Sequence, residues 1–328
     1  MALLQVTDLK THFFGRRGVT KAVDGISFDL ERGEILGIVG ESGSGKSVAS
    51  LSIMRLVDHP GRVVGGSVHF EGRDLLKLGR EEMRTLRGRR MSMVFQEPGT
   101  SMNPVLKVGF QIAEAIRSHE RVSNQEARER TMDLMELVGI PDAKRRIDQY
   151  PHQFSGGMLQ RLMIAMGLAL SPSLIIADEP VTALDVTIQA QILDLLRDLR
   201  DTTDAAVLLI THDMGVVAET CDRVIVMYLG KIVEEAPVAE LFDHPKHPYT
   251  QGLLGSIPKI DEKQEWLAAI PGTIPNPLEV PTGCRFSNRC PQVMDVCHHV
   301  SPELQVVGPG HRVACHLYGE TGTVDADA

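Results

Sequence analysis

Residues Glu34-Ile35-Leu36-Gly37-Ile38-Val39-Gly40 run directly into Glu41-Ser42-Gly43-Ser44-Gly45-Lys46-Ser47. The first seven form a short apolar run bounded by glycine, as expected of a buried strand. From Ser47 to Leu56 the apolar spacing turns helical, so a glycine-rich turn stands between a strand and a helix. Gly40 onward satisfies the pattern glycine, four residues, glycine, lysine, serine. Glycines at Gly40, Gly43 and Gly45 let successive backbone N–H groups turn inward onto a polyphosphate, and the positive end of the next helix adds to the attraction. Gly40, Ser42, Gly43, Ser44, Gly45, Lys46 and Ser47 are thus the predicted nucleotide-phosphate residues. Lys46 supplies a point charge for the β and γ phosphates, and the Ser47 hydroxyl suits magnesium. An ordinary glycine turn is the competing reading, and the flanking strand and helix weigh against it.

Working outward, Leu174-Ile175-Ile176-Ala177 reads as a second buried strand that ends in Asp178-Glu179. The carboxyl end of a parallel strand is where α/β proteins present ligand-binding groups. Two adjacent carboxylates cannot point the same way. Asp178 is the expected magnesium holder, through water, and Glu179 the base that orients and deprotonates a water attacking the γ phosphate. Strand spacing recurs at 3–9, 26–30, 206–210 and 224–227, and helical spacing at 158–170, 189–200 and 214–220. That alternation predicts a mostly parallel sheet covered by helices. Helical patterns at 110–119 and 124–138, closed by Gly139 and Pro141, predict an inserted helical subdomain between about 97 and 160. The character changes near residue 240, and four prolines between Pro271 and Pro281 mark entry into a loop-rich tail whose last dozen residues, from Leu317, are small, acidic and expected to fray.

At 328 residues the chain has room for two domains, or one with an extension. With 43% hydrophobic and 23% charged residues it can bury a core, which excludes disorder as its main state. Its net charge of −9 is the wrong sign for non-specific nucleic-acid binding, and 4% aromatic content argues against base-stacking platforms. No stretch approaches the roughly 18 apolar residues of a membrane span, and the N-terminal segment lacks the basic and apolar regions of a signal peptide. The chain is expected in the cytoplasm. The dense basic run Arg84, Arg87, Arg89 and Arg90 reads as a solvated face.

Four of the five cysteines, Cys284, Cys290, Cys297 and Cys315, fall in the tail. Clustered thiols in a cytoplasmic chain point to metal rather than disulfides, and four thiolates suit zinc or iron–sulfur. The tight chelating pair usual in zinc sites is missing. Uncoordinated thiols, or a mixed site drawing on His298, His299, His311 or His316, stay open. Cys221 reads as a core residue.

Three further stretches complete a set: Gln96 after Met93-Val94-Phe95, Phe154-Ser155-Gly156-Gly157-Met158 opening a helix, and Thr211-His212-Asp213 after a strand. Together with the glycine turn and the acids, they resemble the nucleotide-binding subunits of ABC transporters. The resemblance implies an α/β fold: a P-loop NTPase core of ABC type at 1–96 and 161–240, an inserted helical signature subdomain at 97–160, and a loop-rich C-terminal extension at 241–328. It implies Gln96 as the glutamine that touches magnesium and the attacking water, His212 as the histidine at the γ phosphate, and Asp185 as the aspartate of the loop after the acids. Phe13 is implied as the adenine stacker, with Phe14 competing. Ser155 can cap its helix while Gly156 and Gly157 expose N–H groups to a second anion. In the family this second start closes on ATP held by the opposite subunit, which implies a head-to-tail dimer with two ATP. Phe154 and Met158 depart from the usual leucine and glutamine, and Val181 from the usual threonine or serine. None of these removes a catalytic group.

A narrower resemblance, to the dipeptide and oligopeptide importer branch, rests on Gln96 to Pro104, Leu184 to Gln191 and His247-Pro248-Tyr249-Thr250. It implies a 4Fe-4S cluster on the four tail cysteines, with zinc as the alternative. It also implies two transmembrane permease subunits, an extracytoplasmic peptide-binding protein, and a homologous second ATPase or a second copy of this chain, at the cytoplasmic face of the membrane. Import of another small solute, such as nickel or glutathione, keeps the same mechanism. A soluble ABC ATPase acting on nucleic acid or ribosomes is disfavoured by the acidic balance and by the lack of a second module or coiled-coil insertion.

Overall fold

The computed structural model describes residues 2–96, 101–182, 184–257 and 270–319. Its strands are β1 (Leu4–Gly15), β2 (Gly18–Leu30), β3 (Ile35–Val39), β4 (Gly61–Phe70), β5 (Arg73–Asp74), β6 (Met91–Val94), β7 (Leu174–Asp178), β8 (Ala206–Ile210), β9 (Arg223–Tyr228), β10 (Lys231–Pro237), β11 (Gln305–Gly308) and β12 (His311–Val313). The helices used below are α1 (Lys46–Ile53), α2 (Val108–Arg117), α3 (Asn124–Leu137), α4 (Gly156–Leu168), α5 (Val186–Thr203), α6 (Met214–Thr220) and α7 (Pro248–Gly255).

The chain packs into two compact units, one of residues 1–3, 30–35 and 74–210, the other of 4–29, 36–73 and 211–328. This division differs from the expected core, insert and extension. The helical insert packs with the strands that lead to the acids, and the extension packs with the strand that leads to the glycine turn.

In the first unit β6, β7 and β8 run parallel, with Met91 opposite Leu174 and Asp178 opposite Ile210. Every residue of β7 is buried, which is why it reads as an uninterrupted apolar run. Helix α3 begins where Ser123 accepts the Glu126 N–H at 3.1 Å, and its chain reverses at Gly139, φ 70°. Gly109 of α2 sits against Ile147 so closely that a Cβ would lie 2.1 Å from that side chain.

In the second unit β3 and β9 are parallel, β9 and β10 antiparallel, and β10 continues through β12 to β11. The extension is therefore more than loops. Glu234 and Glu235 of β10 pair with Val313 and Arg312, so the tail adds a hairpin to the sheet edge. A four-stranded sheet, in the order β2-β1-β4-β5, accompanies it. Helix α1 ends at Ile53, earlier than the pattern through Leu56 implies, because Arg55 turns left-handed at φ 53°. The core of this unit joins Val39, Val224 and Val226 to Tyr228, Tyr249 and Phe286, so that residues of the extension pack directly on the strands beside the glycine turn.

Candidate functional site

The glycine turn has the backbone that phosphate binding requires. Gly40 and Gly45 stand at φ 149° and 102°, and a Cβ on either would come within 2.2 Å of a backbone oxygen, Met227 O or Ala22 O. Only glycine fits both the conformation and the approach. Gly45 is also the N-cap of α1 and, having no side chain, makes no capping bond of its own. Ser44 is buried, its N–H reaching Glu41 O at 3.1 Å and its carbonyl accepting from Gly230 at 2.7 Å. Lys46 is buried as well; its ammonium donates to Gly40 O at 2.7 Å and Glu41 O at 3.1 Å, which places the charge over the turn. Ser42 is exposed at the rim, and Ser47 stands in the first turn of the helix.

In the same unit, Phe13 packs on Gly61, where a Cβ would meet its ring at 2.6 Å. Phe14 is more exposed and holds the Arg62 guanidinium 4.2 Å from its ring centre, so its face already has a partner. His212 is exposed after β8, while Asp213 caps α6 by accepting the Gly215 N–H at 2.8 Å.

The acids belong to the other unit. Asp178 is buried at the end of β7. Glu179 turns left-handed, φ 48°, and its N–H bonds Ile210 O at 2.8 Å. Gln96 Nε2 donates to Glu179 Oε2 at 2.7 Å, and Thr182 Oγ1 donates to the same oxygen at 3.0 Å. The structure thus brings Gln96 onto Glu179, the expected base, and it adds Thr182, which the sequence reading missed. Residues 97–100 and 183, parts of the quoted motifs, lie outside the described residues.

Ser155 caps α4, its Oγ accepting the Met158 N–H at 3.3 Å, while Gly156 faces open space. Asp185 caps α5 through the Ile188 N–H at 2.9 Å. Ser155, Gly156, Gly157 and Asp185 line one open hollow of about 620 Å³, which also receives Arg161. Residues far apart in sequence converge there.

Comparison with known proteins agrees with this geometry. Residues 23–182 match the family described as ABC transporter, and residues 233–297 match the oligopeptide/dipeptide transporter C-terminal region. The chain is 55% identical to a probable peptide ABC transporter ATP-binding protein of Sinorhizobium fredii, over 95% of this chain and 94% of that one. It is 52% identical to the dipeptide transport ATP-binding protein DppD of Haemophilus influenzae, over 96% of each. The chain belongs to the ABC transporter ATP-binding family. Among solved structures, a dimeric ATP-binding cassette bound to ADP and phosphate superposes with TM-score 0.66 at 26% identity, covering 72% of this chain and 98% of that one. The fold is that of an ABC ATPase cassette. Among the described residues no helix is long and apolar enough to cross a membrane.

Beyond the cassette core, the extension gathers the four tail cysteines. Among the described residues no group of three or more His, Cys, Asp or Glu side chains is close enough to hold a single metal ion. A tetrahedral zinc needs its thiolates about 3.8 Å apart, given Zn–S bonds of about 2.3 Å. The four thiols are nonetheless neighbours. The Cys284 N–H bonds Cys297 O at 2.8 Å, and Cys284, Cys290 and Cys297 all lie near enough to Cys315 to raise the cost of ionising it. Burial pushes Cys284 and Cys315 up to about 11, and Cys290 up as well, leaving these three as neutral thiols near pH 7. Two histidines of the expected mixed cysteine–histidine site have other partners. His311 Nε2 is 2.8 Å from the buried Glu234, and His316 Nε2 is 2.9 Å from Val300 O. Cys221 packs on Gly37 and Val217, the core position expected of it, and burial drives its thiol far upward.

Glu234 is a structural centre that the sequence reading missed. Fully buried, it accepts from the Lys246 N–H at 2.7 Å and the His247 N–H at 2.9 Å besides its contact with His311. His247 is buried too, its pKa lowered to about 3 by desolvation, and it caps α7 as a neutral ring accepting the Tyr249 N–H at 3.0 Å.

Proposed function

We propose that this chain binds and hydrolyses ATP to power import of dipeptides or oligopeptides. The observation that carries the reading is the glycine turn with Lys46 folded over it at the start of α1. Relatives named for dipeptide and oligopeptide transport, similar along nearly their whole length, support the cargo class.

In this reading Lys46 neutralises the β and γ phosphates, Ser47, Gln96 and Asp178 serve magnesium, and Glu179 takes the proton of the attacking water. Gln96 and Thr182 orient the Glu179 carboxylate through the oxygen they share. His212 meets the γ phosphate and Phe13 the adenine. Ser155, Gly156, Gly157 and Asp185 serve the ATP of the opposite subunit, either a homologous ATPase or a second copy. Residues 97–160 act as the signature subdomain between the core segments 1–96 and 161–240, and 241–328 as the extension. Two permeases, an extracytoplasmic peptide-binding protein and a peripheral position at the cytoplasmic face complete the proposed assembly.

We further propose that Cys284, Cys290, Cys297 and Cys315 are ligands of a 4Fe-4S cluster. In its favour, four thiols converge from separate parts of the extension, and a cluster spreads its four ligands more widely than one metal ion does. Bound there, it would fix the loops that carry them. Anaerobically purified protein is expected to contain iron and acid-labile sulfide, both lost in Cys290→Ser; stoichiometric zinc without sulfide contradicts this.

The function is tested by reconstituting the complete transporter in vesicles and following uptake of labelled dipeptides with internal or external Mg-ATP. Uptake is expected only with ATP on the side of this subunit. ATP-driven uptake of nickel or glutathione instead, with no peptide movement, contradicts the cargo.

A further inference from the structure

Glu41, the second residue of the glycine turn, is held on both sides by the C-terminal extension. Its N–H donates to the Tyr249 hydroxyl at 2.8 Å, so this amide points away from any phosphate. Its carboxylate receives both terminal nitrogens of Arg289, Nη1 at 2.6 Å and Nη2 at 3.0 Å. Its carbonyl accepts from Lys46 at 3.1 Å. One residue therefore links the extension to the charge that reads the phosphates.

The hold is built rather than incidental. The Arg289 side chain is only 4% exposed, and two further donors reach Pro271 O at 3.0 Å and the Tyr228 hydroxyl at 3.3 Å. Tyr228, Tyr249 and Phe286 pack around it, with ring centres 4.7 to 5.4 Å apart. A buried, forked, charge-assisted pair of this kind fixes geometry more firmly than a surface ion pair. The turn Cys284–Arg289, closed by Ser287 N–H to Cys284 O and Arg289 N–H to Phe286 O, carries the guanidinium.

We infer that the extension completes the nucleotide site: Arg289 and Tyr249 are positioning residues that act through Glu41 to preset the glycine turn and Lys46 for the phosphates. Without Arg289, Glu41 loses its anchor and the turn must be ordered by the nucleotide itself, at the expense of affinity. The inference rests on the reading that this turn binds Mg-ATP.

The test is a double-mutant cycle on the full chain with Glu41→Gln and Arg289→Met, measuring Mg-ATP affinity by calorimetry and turnover in the reconstituted transporter. Each single variant is expected to weaken Mg-ATP binding about tenfold, the double variant no more than either single, and turnover at saturating ATP to change less than about twofold. Arg289→Lys, which keeps the charge but not the fork, should fall between. Folded variants that bind as the unmodified chain does, or single effects that simply add, overturn the inference. If Arg289→Met fails to fold, Glu41→Gln and Tyr249→Phe decide it, because neither removes a packed group; unchanged affinity in both overturns it. Absence of Mg-ATP binding by the unmodified chain overturns the ATPase reading itself, and the two failures are thereby distinct.

Discussion

Two helix starts in this chain are suited to anions, and they are finished differently. Helix α1 begins at Gly45, which has no side chain to cap it, and a buried lysine is folded over the turn. Helix α4 begins at Ser155, whose own hydroxyl takes the Met158 N–H, while Gly156 beside it faces open space. The first start is complete within one chain, apart from its ligand. The second satisfies itself in part and presents a hollow. A start that is walled and charged suits a ligand bound by the subunit alone; a start that is capped and open suits one delivered by another subunit.

The largest effect that sharpens this contrast is expected from Glu179→Gln. Turnover should fall by about 1000-fold, the scale of losing a general base, while Mg-ATP binding persists. ATP then accumulates, and a shift toward the dimer in light scattering would show the second start engaged. Next is Lys46→Ala, which should weaken Mg-ATP binding about 100-fold by removing a charged contact of roughly 3 kcal/mol. Gly156→Asp puts a negative charge where the second anion is expected. Its Cβ meets nothing within 4 Å, so thermal stability should hold while turnover drops about tenfold and the lone subunit's ATP affinity is unchanged. The smallest effect is that of Ser155→Ala, which costs α4 about 1 kcal/mol of capping, seen as a lowered unfolding midpoint. If either change at the second start weakened ATP binding by the lone subunit as Lys46→Ala does, the two starts would not differ in the way described.

The same contrast explains what could be read from sequence. The glycine turn, β7 and the acids are local: period, glycine spacing and strand-end chemistry lie within a dozen residues, and the structure keeps them where the pattern put them. Residues whose meaning is long-range were not legible. β4 carries glycines at Gly61, Gly65 and Gly66 and a mostly half-exposed face, so no strand alternation stands out until β1 pairs with it. Tyr249 and Arg289 stand more than 200 residues from the Glu41 they hold, and no local pattern predicts such a contact. The tail cysteines illustrate the reverse case. Their spacing announced a ligand set, while the contact that joins two of them, the Cys284 N–H on Cys297 O at 2.8 Å, belongs to the fold. Residues 320–328, most of the expected frayed end, lie outside the described residues.

The central claim is that the turn from Gly40 to Ser47 encloses the phosphates of a nucleotide. Calorimetric titration of the folded full chain with Mg-ATP tests it most directly. Saturable binding of one nucleotide per chain, weakened about 100-fold in Lys46→Ala but kept in Glu179→Gln, is the predicted result; no heat from the folded, unmodified chain would contradict it.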